Sequence, residues 1–272
     1  MLASLNAGVS GLQQFQQKLD VVGNNIANSN TLGFKMARAE FADTFSQSLN
    51  GGTTTPLQVG SGVSTASVRS VFQQGGIEST GVAEHMAIDG DGFFTVRDPL
   101  TDKSFVTRAG DFKIDGEGYL ISNTGYRLQG YDSGLSTMTD LQIDDAGKPA
   151  GDPGVYKSFS ISGDGKITVL LTSNTSFTRG QVLLQRFQDP HSLIKEGNNL
   201  YSATAAAGAV GGPQPPDTNG LGIIEPEKLE QSNVDLANEF ATLITTQRGF
   251  QASARIITTS DEVLQELVNL KR

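Results

Sequence analysis

Seven-residue hydrophobic periodicity marks both ends of the chain. Residues Leu2 to Ala27 place Leu5, Leu12, Leu19 and Ile26 in one heptad position and Phe15 and Val22 in the other, which predicts an amphipathic α-helix with a narrow apolar stripe. Gln13, Gln14, Gln16 and Gln17 are expected to face away from it. Gly8, Gly11 and Gly23 each cost an isolated helix about 1 kcal/mol relative to Ala. This helix is therefore expected to be marginal until its stripe is covered.

Residues 232–272 repeat the design. Ser232 followed by Asp235 reads as a variant capping box that starts a helix running to about Leu270. Its stripe has Leu236, Leu243, Phe250, Ile257 and Leu264 in one position and Phe240, Ala254 and Val268 in the other, the second line being interrupted by Gln247 and Asp261. Polar residues in such a seam lower stability but set register or partner choice, so the stripe reads as an assembly surface. Both ridges are expected to lie uncovered in the lone chain, the helices pairing with each other and then with neighbouring copies. By composition alone, two helices packed on an ordinary globular domain is the simpler reading.

The middle of the chain has a different period. A short helix is expected near Ala37 to Leu49, carrying Phe41 and Phe45, and NGGTTTP at Asn50 to Pro56 reads as a linker. From about Val59 to Tyr201 come short β-type runs such as GFFTV, FKIDGEGYLI, FSISGDGKITVLL and GQVLLQRF. The second and third predict hairpins turning at Asp115–Gly118 and Gly163–Gly165. A Pro/Gly-rich stretch, GAVGGPQPPDTNGLGIIEP, then precedes the last helix. The expected fold class is α+β, with long terminal helices forming a coiled-coil layer and a central all-β domain between Gly/Pro-rich linkers. The expected segments are 1–35 for the first helix, 36–80 connecting, 81–205 for the β domain, 206–231 as linker and 232–272 for the last helix.

Composition narrows the function classes. The chain has 272 residues and 37% hydrophobic content, enough for a sizeable core. A net charge of −9 disfavours phosphate backbones and anionic membrane surfaces, so no nucleic-acid partner is expected. With no Cys, disulfides and thiolate metal sites are excluded. No apolar run approaches the roughly 18 residues of a membrane span, so no membrane insertion is expected. The N-terminal residues carry neither a cationic start nor an apolar block with a cleavage site, so a conventional cleaved signal peptide is not expected.

Catalytic chemistry finds little support. His85 and His191 are the two histidines and neither stands in a metal-ligand spacing. No G-x-S-x-G elbow occurs. GDGK at Gly163–Lys166 has Ser160 where a phosphate loop needs its first Gly and Ile167 where it needs Ser or Thr, and IDGDGFF at Ile88–Phe94 has Phe93 where a calcium loop needs an oxygen. Both read as turns. No catalytic, metal or cofactor site is expected. A secreted enzyme built on the β domain, or an adaptor whose helices bind another protein, stays open as an alternative.

The stretch NNIANSNTLGFK resembles the N-terminal signature of the bacterial flagellar rod and hook proteins through Asn24, Asn25, Ala27, Asn28, Asn30, Thr31, Gly33, Phe34 and Lys35. LEQSNVDLANEF and TTQRGFQASARIITTSDEVLQELVNL resemble that family's C-terminal helix, and AIDGDGFF, FVTRAGDFKID and EGNNLYSAT its β domain. Physically, the Asn cluster competes for backbone hydrogen bonds and Gly33 tolerates positive φ, which together stop a helix. The resemblance implies a structural subunit of the flagellum that polymerises into a torque-transmitting helical tube. It implies copies of itself and adjacent rod, hook or junction proteins as partners. It also implies export, without a cleaved signal, through the flagellar type III apparatus. RLQGY, FADTF and LVNLKR look more like hook protein, whereas the length is typical of the distal rod; the resemblance therefore implies a hook-like subunit first, with a distal rod protein of the basal body as the alternative.

Overall fold

A computed structural model describes the chain apart from residues 1, 45, 51–56, 134–136, 146, 150–153 and 271–272. The expected linker at Asn50–Pro56 and the Phe45 end of FADTF therefore fall almost wholly outside the described residues. The chain divides into two compact units. The first comprises residues 1–29, 36–71 and 234–272, and the second residues 30–35 and 72–233.

In the first unit, helix α1 (Leu2–Ala27) follows the heptad stripe from end to end. Strands β1 (Ala37–Asp43), β2 (Ser46–Asn50), β3 (Leu57–Gly60) and β4 (Val63–Ser70) come next. β1 pairs antiparallel with β4 from Ala37↔Ser70 to Asp43↔Val63, with a bulge between Glu40 and Phe41, and β2 pairs with β3. The short helix expected at Ala37–Leu49 is thus two strands. Ala37, Ala39 and Phe41 alternate half-buried with exposed Arg38 and Glu40, a period of two carried mostly by alanine, which a search for large apolar residues passes over.

Helix α2 (Leu236–Leu270) closes this unit. It starts later than expected because the cap is Asp235. That side chain accepts from the Ala237 N–H at 2.9 Å and the Asn238 N–H at 3.3 Å, satisfying donors that the first turn would leave orphaned.

The second unit is antiparallel β. Its strands are β5 (Ile77–Ser79), β6 (Met86–Asp89), β7 (Phe93–Arg97), β8 (Ser104–Thr107), β9 (Lys113–Ile114), β10 (Leu120–Ile121) and β11 (Arg127–Asp132). They continue with β12 (Met138–Asp140), β13 (Tyr156–Ile161), β14 (Lys166–Leu171), β15 (Ser176–Val182), β16 (Leu184–Phe187), β17 (Ile194–Gly197) and β18 (Leu200–Ser202). The last three are β19 (Ala209–Gln214), β20 (Ile223–Pro226) and β21 (Lys228–Glu230). The main sheet runs β13-β14-β15-β11-β7-β8-β18-β17. Both expected hairpins form: β9 and β10 join through the Asp115–Gly118 turn, and β13 and β14 through a turn closed by Gly165 N–H donating to Ser162 O at 2.8 Å.

Residues 206–231, expected as a linker, belong to this β unit: β19 pairs with β16, β20 with β6 and β21 with β5. Their Gly and Pro content suits short edge pairings, where a missing N–H costs no ladder bond.

Two cores lie on opposite sides of β7. Phe94 and Val96 enter a cluster with Met86, Ile88, Phe112, Leu128 and Ile167, while Phe93 turns to Phe187, Tyr201 and Val106. Strand β14 shows the cause, since Ile167, Val169 and Leu171 alternate buried along it. No helix among the described residues is long and apolar enough to cross a membrane.

Candidate assembly surface

The two terminal stripes face each other within one chain. A Cβ added at Gly8 would lie 3.1 Å from Ile257, at Gly11 3.2 Å from Ser253 Oγ, and at Gly249 2.7 Å from the Phe15 ring. Contacts that climb α1 descend α2, so the helices are antiparallel. The ridges are therefore not bare in the lone chain as expected from sequence.

On α1, Val22 is buried and Leu5, Leu12, Phe15, Leu19 and Ile26 are half-buried along that face. On α2, Leu243, Phe250, Ile257 and Leu264 are half-buried and form one line of the seam. The other line differs from the expectation by one residue: it is Glu239, Thr246 and Ser253, all buried, then half-buried Ser260. Gly8 and Gly11 let the helices approach closely, Gly8 against the Ile257 side chain and Gly11 against the Ser253 hydroxyl. Phe240 is 50% exposed and Val268 66% exposed, and Leu236 is also exposed, so these three stand outside the seam.

What the lone chain leaves uncovered is therefore a set of flanks on α2. Besides Leu236, Phe240 and Val268, the exposed apolar residues there are Ile244, Ile256, Val263, Leu267 and Leu270. None of these five follows from a strict two-position heptad. The i, i+4, i+7 spacing of Ile256, Val263, Leu267 and Leu270 is the signal that would have revealed a second stripe.

The opposite side of α1 meets β1 and β4. Gln14 and Gln17, expected to face away, both bring their side-chain oxygens to 2.5 Å from Thr65 Oγ1. Asn25, 1% exposed, imitates a strand: its Nδ2 donates to Ala37 O and its Oδ1 accepts from Ala37 N–H, each at 2.9 Å. Asn28 ends the helix, with its N–H on Asn24 O at 3.1 Å and its Nδ2 on the same carbonyl at 2.9 Å. Asn24 and Ala27, the last helical residue, are exposed.

The rest of the signature lies in the β unit. Gly33 takes φ +65°, and a Cβ there would sit 2.7 Å from Ala109 N, so only glycine fits. Its N–H donates to Glu230 O at 2.8 Å, and the Phe34 N–H to Thr31 O at 3.2 Å. Asn30 is exposed and Thr31 half-buried, whereas Phe34 is buried with Lys195 Nζ 4.6 Å above its ring.

Lys35 is fully buried. Its Nζ donates to Glu230 Oε1 at 2.5 Å and to Gln73 O at 2.9 Å. Glu230 Oε1 also accepts the Gly75 N–H at 2.9 Å, and Oε2 lies 3.5 Å from Arg108 Nη1. Burial pushes the Lys35 ammonium below its ordinary pKa against the opposing pull of Glu230, and does the same to Arg108. Two cations thus share one buried carboxylate. Glu230 and Arg108 lie in the LEQSNVDLANEF and FVTRAGDFKID segments, but nothing local marks either as a member of a buried pair.

His85 Nδ1 lies 2.9 Å from Thr80 Oγ1, and the His191 ring packs beside Phe72. Among the described residues no three His, Cys, Asp or Glu converge as a metal site.

Family models match three stretches: "Flagella basal body rod protein" over residues 5–35, "Flagellar hook protein FlgE/F/G D1 domain" over 87–169, and "Flagellar basal body rod FlgEFG protein C-terminal" over 225–270. The chain is 40% identical over 281 residues to the flagellar basal-body rod protein FlgG of Bacillus subtilis, and 34% over 284 residues to that of Borreliella burgdorferi. Each comparison covers the whole of both chains. The flagellar hook protein FlgE of Borreliella burgdorferi is 26% identical over 446 aligned positions, again covering both chains in full.

Proposed function

The chain belongs to the family of flagellar basal-body rod and hook proteins, and from that premise we propose that it polymerises through α1 and α2 into a torque-transmitting helical tube. Its role as a structural component of the flagellar axis follows from its family. The observation that carries polymerisation is the set of exposed apolar side chains on the two flanks of α2, Phe240 and Ile244 on one and Ile256 and Val263 on the other, in a helix whose intervening face is already covered by α1. Isolated large apolar residues on a surface are ordinary, but a run of them along one helix marks an interaction face.

In this reading copies of the chain and adjacent rod, hook or junction proteins cover α2. The terminal helices line the tube as a coiled-coil layer and the β unit forms the outer layer. The N-terminal region serves as the uncleaved signal for the flagellar export apparatus. Between the two subunit types, full-length similarity to basal-body rod proteins over 281 and 284 residues supports the rod. The hook relative aligns only over 446 positions, which leaves much of its length without a counterpart in 272 residues.

Deletion of the coding sequence tests the reading. Loss of the filament and hook, restored by the intact chain, is expected on electron micrographs of the mutant cells. Normal flagella in the deletion strain would overturn it.

A further inference from the structure

We propose that the β unit carries a carboxylate-binding site between Arg108 and Arg186, which takes a monoanion borne on a short apolar body. The site lies wholly within residues 72–233 and does not draw on the polymerising role proposed above.

Charge balance is the first ground. Lys35, Arg108 and Glu230 form a buried cluster of two cations and one carboxylate, so one positive charge within it is uncancelled. Lys35 holds Glu230 the more closely, at 2.5 Å against 3.5 Å for Arg108. Arg108 is therefore short of partners. Its Nη2 donates to Gly90 O at 2.8 Å, but among the described residues neither Nε nor Nη1 has a hydrogen-bond acceptor. The side chain is 5% exposed. A guanidinium buried to that degree is destabilising until acceptors reach it, and an anionic acceptor offsets the most.

The second ground is where Arg108 lies. It lines a cleft of about 170 Å³ together with Arg186, Phe72, Phe93, Phe187 and Pro190. Sites for drug-sized ligands begin at roughly 300 Å³, so the occupant is small. Arg186 is half-buried, and its Nη1 donates to Asn219 O at 2.9 Å. Its Nη2 lies 3.9 Å from Asp91 Oδ2, a carboxylate whose side chain is 74% exposed. An ion pair that long and that wet contributes little, which leaves Arg186 available to a better-placed acceptor.

The walls select the kind of anion. Arg108 Cζ stands 5.3 Å from the centroid of the Phe93 ring, and Phe93 packs edge-on against Phe72 and Phe187. Rings beside the charge favour an acid carrying a short hydrocarbon over inorganic phosphate. Guanidinium forks match the planar carboxylate group, and its single negative charge equals the one that the buried cluster leaves uncancelled. A free small acid and an acidic side chain of a polypeptide both present this chemistry.

Isothermal titration of the full chain with butyrate, with its neutral counterpart butyramide and with inorganic phosphate tests the site. Butyrate is expected to bind once per chain, and the other two about tenfold or more weakly, the worth of one charge-assisted hydrogen bond. Arg186→Gln, checked for wild-type circular dichroism, is expected to weaken butyrate by about tenfold on the same ground. Asp91→Asn is expected to tighten it, because a competing carboxylate leaves Arg186; a merely structural Arg186 would not produce that gain. Equal binding of butyrate and butyramide, no binding of butyrate, or wild-type affinity in both variants would overturn the proposal. The source of the carboxylate is read from a blocked pentapeptide of alanines with a central glutamate. Binding tighter than butyrate assigns the site to a polypeptide, and equal or weaker binding assigns it to a free acid.

Discussion

Lys35 Nζ donates to Glu230 Oε1 over 2.5 Å, tying together residues 195 positions apart in the sequence. Both side chains are buried, and Arg108 approaches the other carboxylate oxygen. Removing one member of a buried pair costs about 3–5 kcal/mol, because the remaining charge is left uncompensated. Glu230→Gln strands two cations, whereas Lys35→Met leaves Glu230 beside Arg108. Denaturant unfolding is therefore expected to show Glu230→Gln as the more destabilised of the two. Equal losses would mean that Arg108 does not share the carboxylate.

Gly33 occupies the left-handed region with Ala109 N in the place of any Cβ. Gly33→Ala is expected to lower the stability of the β unit by about 1–3 kcal/mol, the cost of a strained backbone position. A melting temperature unchanged from wild type would show that the turn relaxes.

Two helical glycines should respond in opposite ways. Gly23 has nothing within 4 Å of an added Cβ, whereas at Gly249 the Phe15 ring lies 2.7 Å away. Gly23→Ala is expected to gain about 1 kcal/mol from helix propensity. Gly249→Ala is expected to forfeit that gain, because Phe15 must move. Thermal unfolding followed at 222 nm compares them directly, and the same gain at both positions would refute close packing at Gly249.

Hydrogen bonds from Lys166 and Ser162 hold the Asp164 carboxyl down at about 2, below its ordinary 3.8. A depressed folded pKa gives stabilisation that is present above the ordinary value and lost as pH falls toward 2. Asp164→Asn is expected to make the decline in melting temperature between pH 4 and pH 2 shallower than in wild type. Parallel declines would remove Asp164 from the acid response.

What could be read from the sequence was what repeats along it. The spacing of Leu5, Leu12, Leu19 and Ile26 locates α1 from end to end, and the Gly-containing turns at Asp115–Gly118 and Gly163–Gly165 locate two hairpins. What escaped was set by neighbours far along the chain. The second seam line on α2 is Glu239, Thr246, Ser253 and Ser260, polar residues of which Ser253 meets Gly11, so a pattern of apolar residues alone places the line on Phe240 instead. Residues 206–231 look like linker because their strands pair only with β5, β6 and β16. The Lys35–Glu230 pair has no local trace at all.

The most direct measurement is a density map of the native polymer at side-chain resolution. The expected result is that Phe240, Ile244, Val263 and Leu267 of each copy are covered by helices of neighbouring copies. A tube in which those side chains face solvent, with neighbours meeting through the β unit alone, would contradict assembly through the terminal helices.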